Sequence, residues 1–343
     1  MRELRFEPPW SLGNRHLQSM LPSVLPRRAF VARRASRLLA ASRDVLLECG
    51  DDVRLLGHHA TQGAGHLVLL LHGWEGSADS TYVLSCAAYL FDHGFDIFRL
   101  NLRDHGPTHH LNPDLFHSGR IAEVVGAVRA LQQLAPARRL SLVGYSLGGN
   151  FVLRVAVRAP AAGIDLAQVI GVCPVLDPVQ TMDRLEVGPW IYRAYFLRKW
   201  RNSLLKKQQA WPGRFDLGGP VDDSSLSAMT EQLVVRYAEY PDLASYLTGY
   251  AIVGPVLDGL TVPSRILMAL DDPIIASRDL ARLATPAALQ VYTTQRGGHC
   301  GFLDTLTAES WADRRVHELL CGRDLAADST GLPRRPSCAE DAT

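Results

Sequence analysis

The stretch Gly144-Tyr145-Ser146-Leu147-Gly148-Gly149 decides the fold of this chain. It follows the apolar run 139–143, which predicts a buried strand, and it precedes 150–159, whose composition predicts a helix. A Gly-x-Ser-x-Gly turn between a strand and a helix is the nucleophile elbow, which lifts the serine hydroxyl above the sheet. The glycines have no Cβ, so the strand and the helix can approach each other closely. The elbow therefore predicts Ser146 as a catalytic nucleophile.

Two backbone N–H groups are predicted to form an oxyanion hole beside this serine. Leu147 follows the nucleophile at the N-terminus of the helix, where N–H groups point toward an anionic oxygen. The stretch His72-Gly73-Trp74-Glu75-Gly76-Ser77 follows the apolar run 66–71, and hydrolases of this layout keep a second donor in that loop. We predict that the second donor is the N–H of Trp74.

Apolar runs alternate with helical segments along most of the chain. Eight runs predict strands, at 44–49, 53–59, 66–71, 95–100, 139–143, 168–173, 264–270 and 288–293. The first two flank a Gly-Asp-Asp turn and predict a hairpin, whereas most of the later runs are nearly continuous in apolar residues, as in strands buried on both faces. The pattern predicts an α/β-hydrolase fold, with a mostly parallel twisted central sheet flanked by helices.

The same alternation divides the chain into four parts. Residues 1–43 are basic and have no clear period, so we expect an irregular segment packed on the core. Residues 44–174 and 261–321 are predicted to form the α/β-hydrolase core. Residues 175–260 break the alternation after the sixth predicted strand and are too long for a loop, which indicates a helical lid insertion. Residues 322–343 are polar and are predicted to be a disordered tail.

Two further positions complete a catalytic set in the chain order serine, acid, histidine. Asp271-Asp272-Pro273 follows the seventh predicted strand, and His299 lies in the loop after the last one. Because the carboxyl ends of parallel strands meet at one edge of a sheet, both are expected beside the elbow. His299 is predicted to act as general base and then as general acid, with the carboxylate orienting its ring.

Three aspartates are candidates for the acid. Asp272 is preferred, because Pro273 holds the residue before it in an extended conformation that can aim the side chain out of the turn. Asp271 leaves the strand first and is the alternative. Asp177, which follows the preceding strand, is a third candidate.

The composition argues against several other classes of function. Lys and Arg number 36 and Asp and Glu 35, so a net charge of +1 predicts no general attraction to nucleic acid. No apolar run reaches about 18 residues, which predicts no transmembrane segment. The six cysteines are scattered, which favours reduced thiols and a cytoplasmic protein. A peripheral membrane contact through the arginine-rich N-terminal segment stays open.

Four histidines between His105 and His117 raise the question of a metal site. They form no His-x-x-x-His pair on a convincing helix, and no Cys or Asp pair completes a ligand set. We therefore expect neither a metal nor a cofactor, and interpret these histidines as residues that line the entrance to the site.

Several of these motifs together resemble one known group. The stretches Gly13-Asn14-Arg15-His16-Leu17-Gln18-Ser19-Met20-Leu21-Pro22, 72–77, 116–119, 144–150, 271–273 and 297–302 are similar to those of the YheT-type α/β-hydrolases, which are related to the embryogenesis-associated hydrolases. The resemblance covers about Trp10 to Leu320. It implies carboxylic-ester hydrolase activity with Ser146, Asp272 and His299 as a charge-relay triad.

The preferred hypothesis is a serine hydrolase that cleaves a small-molecule acyl ester through an acyl-serine intermediate. An acyltransferase would use the same triad with an acceptor other than water, and nothing in the triad distinguishes the two. A binding protein on a hydrolase scaffold is the third reading, and the complete set of catalytic groups argues against it.

Overall fold

The computed structural model describes residues 1–136, 138–218, 225–307, 309–323 and 325. The described strands are β1 Arg2–Glu3, β2 Ser42–Glu48, β3 Arg54–Ala60, β4 His66–Leu71, β5 Asp96–Leu100, β6 Arg139–Tyr145, β7 Gln168–Val172, β8 Ser264–Ala269 and β9 Leu289–Thr294. They form one sheet in the order β1-β9-β8-β7-β6-β4-β5-β3-β2. The pairs β2–β3 and β3–β5 are antiparallel, and all other neighbours are parallel.

The described α-helices lie on both faces of this sheet and above its carboxyl edge. They are α1 Arg15–Met20, α2 Leu25–Arg34, α3 Ser36–Ala41, α4 Thr81–Asp92, α5 Ile121–Leu134, α6 Leu147–Arg158, α7 Pro178–Val187, α8 Trp190–Ala210, α9 Leu226–Tyr237, α10 Leu243–Gly249 and α11 Trp311–Leu320. None of these helices combines the length and the apolar content that crossing a bilayer requires.

Strand β4 shows why the central strands are almost entirely apolar. Leu67 and Leu69 belong to the core under α5 and α6, whereas Val68 and Leu70 belong to the core under α4 and α11. Successive side chains of a strand point to opposite faces, and here both faces are covered. The predicted α/β-hydrolase fold, with its mostly parallel sheet, is confirmed.

One strand was not expected from the sequence. Residues Arg2–Glu3 pair in parallel with Tyr292 and Thr293 at the edge of the sheet. Two residues are too few to show a period, so no pattern marks them as a strand. Because β1 adds one strand at the N-terminus, the segment that the sequence analysis places after its sixth predicted strand follows β7 in the structure.

The N-terminal segment differs from the expectation of irregular structure. It contains α1, α2 and α3, and side chains such as Val31 and Leu38 are buried against the core. The prediction of irregularity was wrong. Helices α1 and α3 have six residues each, too few for a clear helical period, and four arginines among the ten residues of α2 leave few apolar positions to show one. The side chain of His16 on α1 contacts the hydroxyl of Tyr192 on α8 at 3.0 Å.

The segment 175–260 contains the helices α7 to α10 in its described part. The predicted tail, 322–343, lies outside the described residues except for 322, 323 and 325. Among the described cysteines, Cys321 is disulfide-bonded, which differs from the expectation of reduced thiols. The four free thiols belong to Cys49, Cys86, Cys173 and Cys300.

Candidate active site

Ser146 lies on a strained turn between β6 and α6. Its backbone has φ +53° and ψ −118°, a left-handed conformation that a residue with a Cβ rarely adopts. The elbow closes tightly, since a Cβ added at Gly148 would lie 2.3 Å from the carbonyl oxygen of Leu71 on β4. Only glycine at that position lets α6 start so close to the sheet. The turn presents the Ser146 hydroxyl at the carboxyl edge of the strands.

The three predicted triad residues form one chain of hydrogen bonds. The Oγ of Ser146 lies 3.0 Å from Nε2 of His299, and Nδ1 of His299 lies 2.8 Å from Oδ2 of Asp272. A carboxylate can only accept, so Nδ1 carries the proton and Nε2 is free to accept the serine proton. The residues that this chain connects are 153 and 27 positions apart in sequence.

Asp272 is fixed in place by the turn that follows it. Its side chain is fully buried, and its Oδ1 accepts the N–H groups of Ile274 and Ile275 at 2.8 and 2.9 Å. The guanidinium of Arg184 on α7 donates to the carbonyl oxygens of Asp272 and Ile275. Both carboxylate oxygens are therefore satisfied, and the one that faces His299 has a defined direction.

The other two candidate acids have different partners. Asp271 accepts the N–H of Gly298 at 2.9 Å, and burial raises the pKa of its carboxyl. Asp177 accepts from the N–H groups of Val179 and Gln180 at the start of α7 and pairs with Arg282. Of the three, Asp272 is the one that contacts the imidazole of His299.

In the loop after β4, the N–H groups on both sides of Trp74 are engaged in hydrogen bonds. The N–H of Gly73 donates to the hydroxyl of Tyr82 at 3.0 Å, and the N–H of Glu75 donates to Nε2 of His105 at 3.1 Å. The N–H of Trp74 lies between these two engaged groups. On the other side, Leu147 is the first residue of α6, where no carbonyl of the helix can reach its N–H. These are the two groups that the sequence predicts as oxyanion donors.

Two buried histidines support this loop, and the sequence did not assign them this role. Nε2 of His72 accepts the N–H of Leu102, so its Nδ1 carries a proton and donates to Gly73 O at 2.7 Å. His105 is arranged in the same way, accepting from Glu75 and donating to the carbonyl of Arg103. Burial lowers the pKa of His72 to about 4 and that of His105 well below its usual value. Both rings are neutral at pH 7, and each joins two backbone groups through one accepted and one donated hydrogen bond.

The remaining histidines of the predicted cluster serve separate contacts. His109 binds the hydroxyl of Ser203 on α8 at 2.9 Å, while His117 packs against the rings of Tyr240 and Tyr246. His105, His109 and His117 line the cavity in front of Ser146, and His110 does not.

Among the described residues, one group of side chains could hold a metal ion. The thiols of Cys173 and Cys300 and a ring nitrogen of His299 lie within 4.8 Å of one another. Burial raises the pKa of the Cys300 thiol well above its usual value, so this thiol is protonated at neutral pH. Both ring nitrogens of His299 are engaged, Nδ1 by Asp272 and Nε2 by Ser146, so a metal bound to either one would break the hydrogen-bonded chain.

A cavity of about 1030 Å³ opens in front of Ser146 and His299. Its other walls include residues of α7 to α10, so the inserted helices cover the carboxyl edge of the sheet. Helix α8 contacts the loop after β4 directly, because Phe196 stacks on Trp74 at 5.1 Å between ring centres and Trp200 meets the same ring edge-on at 5.2 Å. Lys199 donates to the carbonyl oxygen of Glu75 at 2.5 Å. Aromatic rings therefore form much of the wall beside the serine.

Glu75 is a carboxyl group in this largely apolar cavity. Burial raises its pKa to about 8, although the nearby charge of Lys199 acts in the opposite direction. At pH 7 the group is mostly neutral, so it adds little negative charge to the cavity.

The match to a known family covers this whole arrangement. Residues 66–306 match the family described as "alpha/beta hydrolase fold". The chain belongs to this α/β-hydrolase family. The matched region contains the elbow, both candidate aspartates after β8 and the loop that carries His299.

Individual relatives agree with this assignment. The chain is 24% identical over 328 residues to "Putative esterase YheT" of Escherichia coli (strain K12), covering 92% of each protein, and the predicted resemblance to YheT-type hydrolases is confirmed. The esterase Pf2001 of Pyrococcus furiosus superposes with a TM-score of 0.57 at 16% identity, covering 92% of this chain and 96% of that one. The serine hydrolase CCSP0084 of Cycloclasticus zankles gives 0.56 at 14%, covering 82% and 98%. At these identities the two structures support the fold alone.

Proposed function

We propose that this α/β-hydrolase is a serine esterase that hydrolyses a small-molecule carboxylic ester through an acyl-serine intermediate. The observation that carries the proposal is the hydrogen-bonded chain from Ser146 through His299 to the buried Asp272 on a strained elbow. A left-handed serine costs on the order of 1–3 kcal/mol, and such strain persists mainly at functional sites. The esterase name of the YheT relative supports the same class of reaction.

The geometry supports a two-step mechanism. As Oγ of Ser146 attacks the ester carbonyl, Nε2 of His299 takes its proton, and Asp272 stabilises the resulting imidazolium. The carbonyl oxygen becomes an anion that the N–H groups of Trp74 and Leu147 stabilise. His299 then gives its proton to the departing alcohol, which leaves the acyl group on Ser146. Water attacks this acyl-serine with His299 again as base, which releases the acid and restores the serine.

The cavity supports an ester whose acyl group is apolar. Trp74, Phe196 and Trp200 present ring faces and edges next to the proposed oxyanion loop. Burying each methylene of an acyl chain against such a wall contributes about 0.8 kcal/mol. The uncharged state of Glu75 at neutral pH keeps an anion away from this surface.

The test is labelling with a fluorophosphonate probe, followed by turnover of a p-nitrophenyl ester series. The wild type should be labelled and should hydrolyse the esters, whereas Ser146→Ala should lose labelling and on the order of 10⁶-fold in kcat. Ser36→Ala, which changes an exposed serine of the N-terminal segment, is the control. A folded wild-type protein that is neither labelled nor active would contradict the proposal. Turnover that requires an added alcohol or thiol would reassign the chain as an acyltransferase.

A further inference from the structure

The short helix α1 lies directly on the loop that carries His299. The carboxamide of Gln18 is fully buried, accepts the N–H of Leu303 at 2.7 Å and donates to the carbonyl oxygen of the same residue at 2.8 Å. Its second proton goes to the carbonyl of Leu12 at 2.8 Å. One amide that pairs with both backbone groups of a single residue fixes that residue in distance and in direction. Leu303, which follows His299 by four residues, is therefore attached to the N-terminal segment.

Ser19, the next residue of α1, binds the backbone of His299 itself. Its Oγ accepts the N–H of His299 at 2.9 Å and donates to the carbonyl oxygen of Arg15 at 2.7 Å. The approach is close enough to require glycine in the loop, since a Cβ added at Gly301 would lie 2.1 Å from the carbonyl oxygen of Gln18. Helix α1 and the loop are thus complementary in shape as well as in hydrogen bonding.

We propose that Ser19 and Gln18 are positioning residues for His299, a role that rests on the proposed esterase function. The ring of His299 is held at Nδ1 by Asp272, while the adjacent backbone is held by Asp271 at Gly298 and by Ser19 at His299. If the Ser19 contact is removed, the backbone can rotate while Nδ1 stays bound, and Nε2 then moves relative to Ser146. A misplacement of about 1 Å at a reacting group can cost up to about 100-fold in rate.

The experiment compares Ser19→Ala with Ser19→Thr, because threonine keeps the hydroxyl and alanine removes it. We expect Ser19→Ala to lower kcat for a p-nitrophenyl ester about 10-fold with KM changed less than about twofold, as one lost positioning hydrogen bond should do. The rate of fluorophosphonate labelling of Ser146 should fall by the same factor. Ser19→Thr should recover both rates to within about twofold of the wild type. Ser36→Ala is the matched control in the same segment.

Two outcomes would overturn the positioning role. One is a Ser19→Ala protein with wild-type kcat and wild-type labelling rate. The other is an equal loss of kcat in the alanine and threonine variants, which would show that the hydroxyl is not what matters. Failure of the proposed function looks different, because the folded wild type would then be neither labelled nor active, or Ser146→Ala would still turn over the ester, whatever the Ser19 variants do.

Discussion

Asp271 and Asp272, adjacent in the chain, hold two different parts of one loop. Asp271 accepts the backbone N–H of Gly298 at 2.9 Å, and Asp272 accepts Nδ1–H of His299 at 2.8 Å. One residue therefore fixes the course of the loop, and the other fixes the orientation of the ring. This division makes the two carboxylates separable by mutation.

Replacing each aspartate by asparagine should give very different losses. Asp272→Asn offers an amide where His299 needs an acceptor, which favours the wrong tautomer, and we expect kcat to fall about 10⁴-fold. Asp271→Asn keeps an oxygen for the N–H of Gly298 and should cost less than about 10-fold. Steady-state turnover of a p-nitrophenyl ester measures both. A larger loss for Asp271→Asn than for Asp272→Asn would reverse the assignment.

Ionisation of Glu75 should lower the esterase activity at alkaline pH. Its pKa is raised to about 8 by burial, so the carboxyl becomes an anion as the pH rises through that value. An anion in the cavity opposes the negative charge that develops in the proposed transition state. One unit above the pKa about a tenth of the carboxyls remain protonated, so kcat/KM should fall up to about 10-fold by pH 9. The measurement is a pH profile with an uncharged ester.

Glu75→Gln is the informative variant for this profile, because the amide keeps the size of the side chain and cannot ionise. Its kcat/KM should stay level between pH 7 and 9. Glu7→Gln, which changes an exposed glutamate of the N-terminal segment, should behave as the wild type. The same alkaline fall in Glu75→Gln would assign the limit to another group.

The ring of Phe196 should contribute to acyl-chain selectivity. It stacks on Trp74 and lines the cavity, so Phe196→Ala removes apolar surface beside the serine. Each acyl methylene that loses its contact costs about 0.8 kcal/mol, which raises KM about fourfold. We expect the optimum of a p-nitrophenyl ester series to move to longer or branched acyl groups. Phe30→Ala, an exposed phenylalanine outside the cavity, is the control, and an unchanged optimum in Phe196→Ala would exclude this role.

Buried histidines should make the fold sensitive to acid. Burial lowers the pKa of His117 to about 3 and that of His72 to about 4. In the unfolded chain these two histidines take up protons below about pH 6.5, whereas in the folded protein they do so only at a much lower pH. The free energy of unfolding should therefore decrease as the pH falls, by about 1.4 kcal/mol for each such histidine at pH 5.5.

His117→Phe tests this dependence, because it keeps the aromatic contacts with Tyr240 and Tyr246 and removes the titrating group. Urea unfolding at pH 7.5 and 5.5 should show a smaller pH effect in this variant than in the wild type. His110→Phe changes an exposed histidine between β5 and α5, and it should leave the pH effect unchanged. Equal pH effects in the wild type and His117→Phe would contradict the prediction.

Local sequence signals predicted the fold and the hydrogen-bonded residues well. Nearly continuous apolar runs located most of β4 to β9, because strands buried on both faces are rich in apolar residues, and the Gly-Asp-Asp turn located the hairpin of β2 and β3. The preference for Asp272 came from one stereochemical constraint, the proline after it, and the structure brings that aspartate to the His299 ring.

The roles of His72, His105 and Gln18 could not be read in the same way. Each depends on a backbone group far away in sequence, such as Leu102 for His72 and Leu303 for Gln18. No periodicity or spacing rule encodes such a partner. For Gln18, the available sequence signal of a specific role was its place in a stretch that resembles the family.

The bonds between α1 and the His299 loop also have a consequence for the order of events during synthesis. Gln18 and Leu303 are 285 positions apart, and Ser19 and His299 are 280 apart. Contacts of such large sequence separation form late, because the intervening chain must first be ordered. The elbow and its strands leave the ribosome long before residue 299, so under the proposed mechanism Ser146 has no histidine partner until late in translation. The contacts of α1 with the His299 loop can form only after that point, so the arrangement around His299 is completed after both segments have been synthesised.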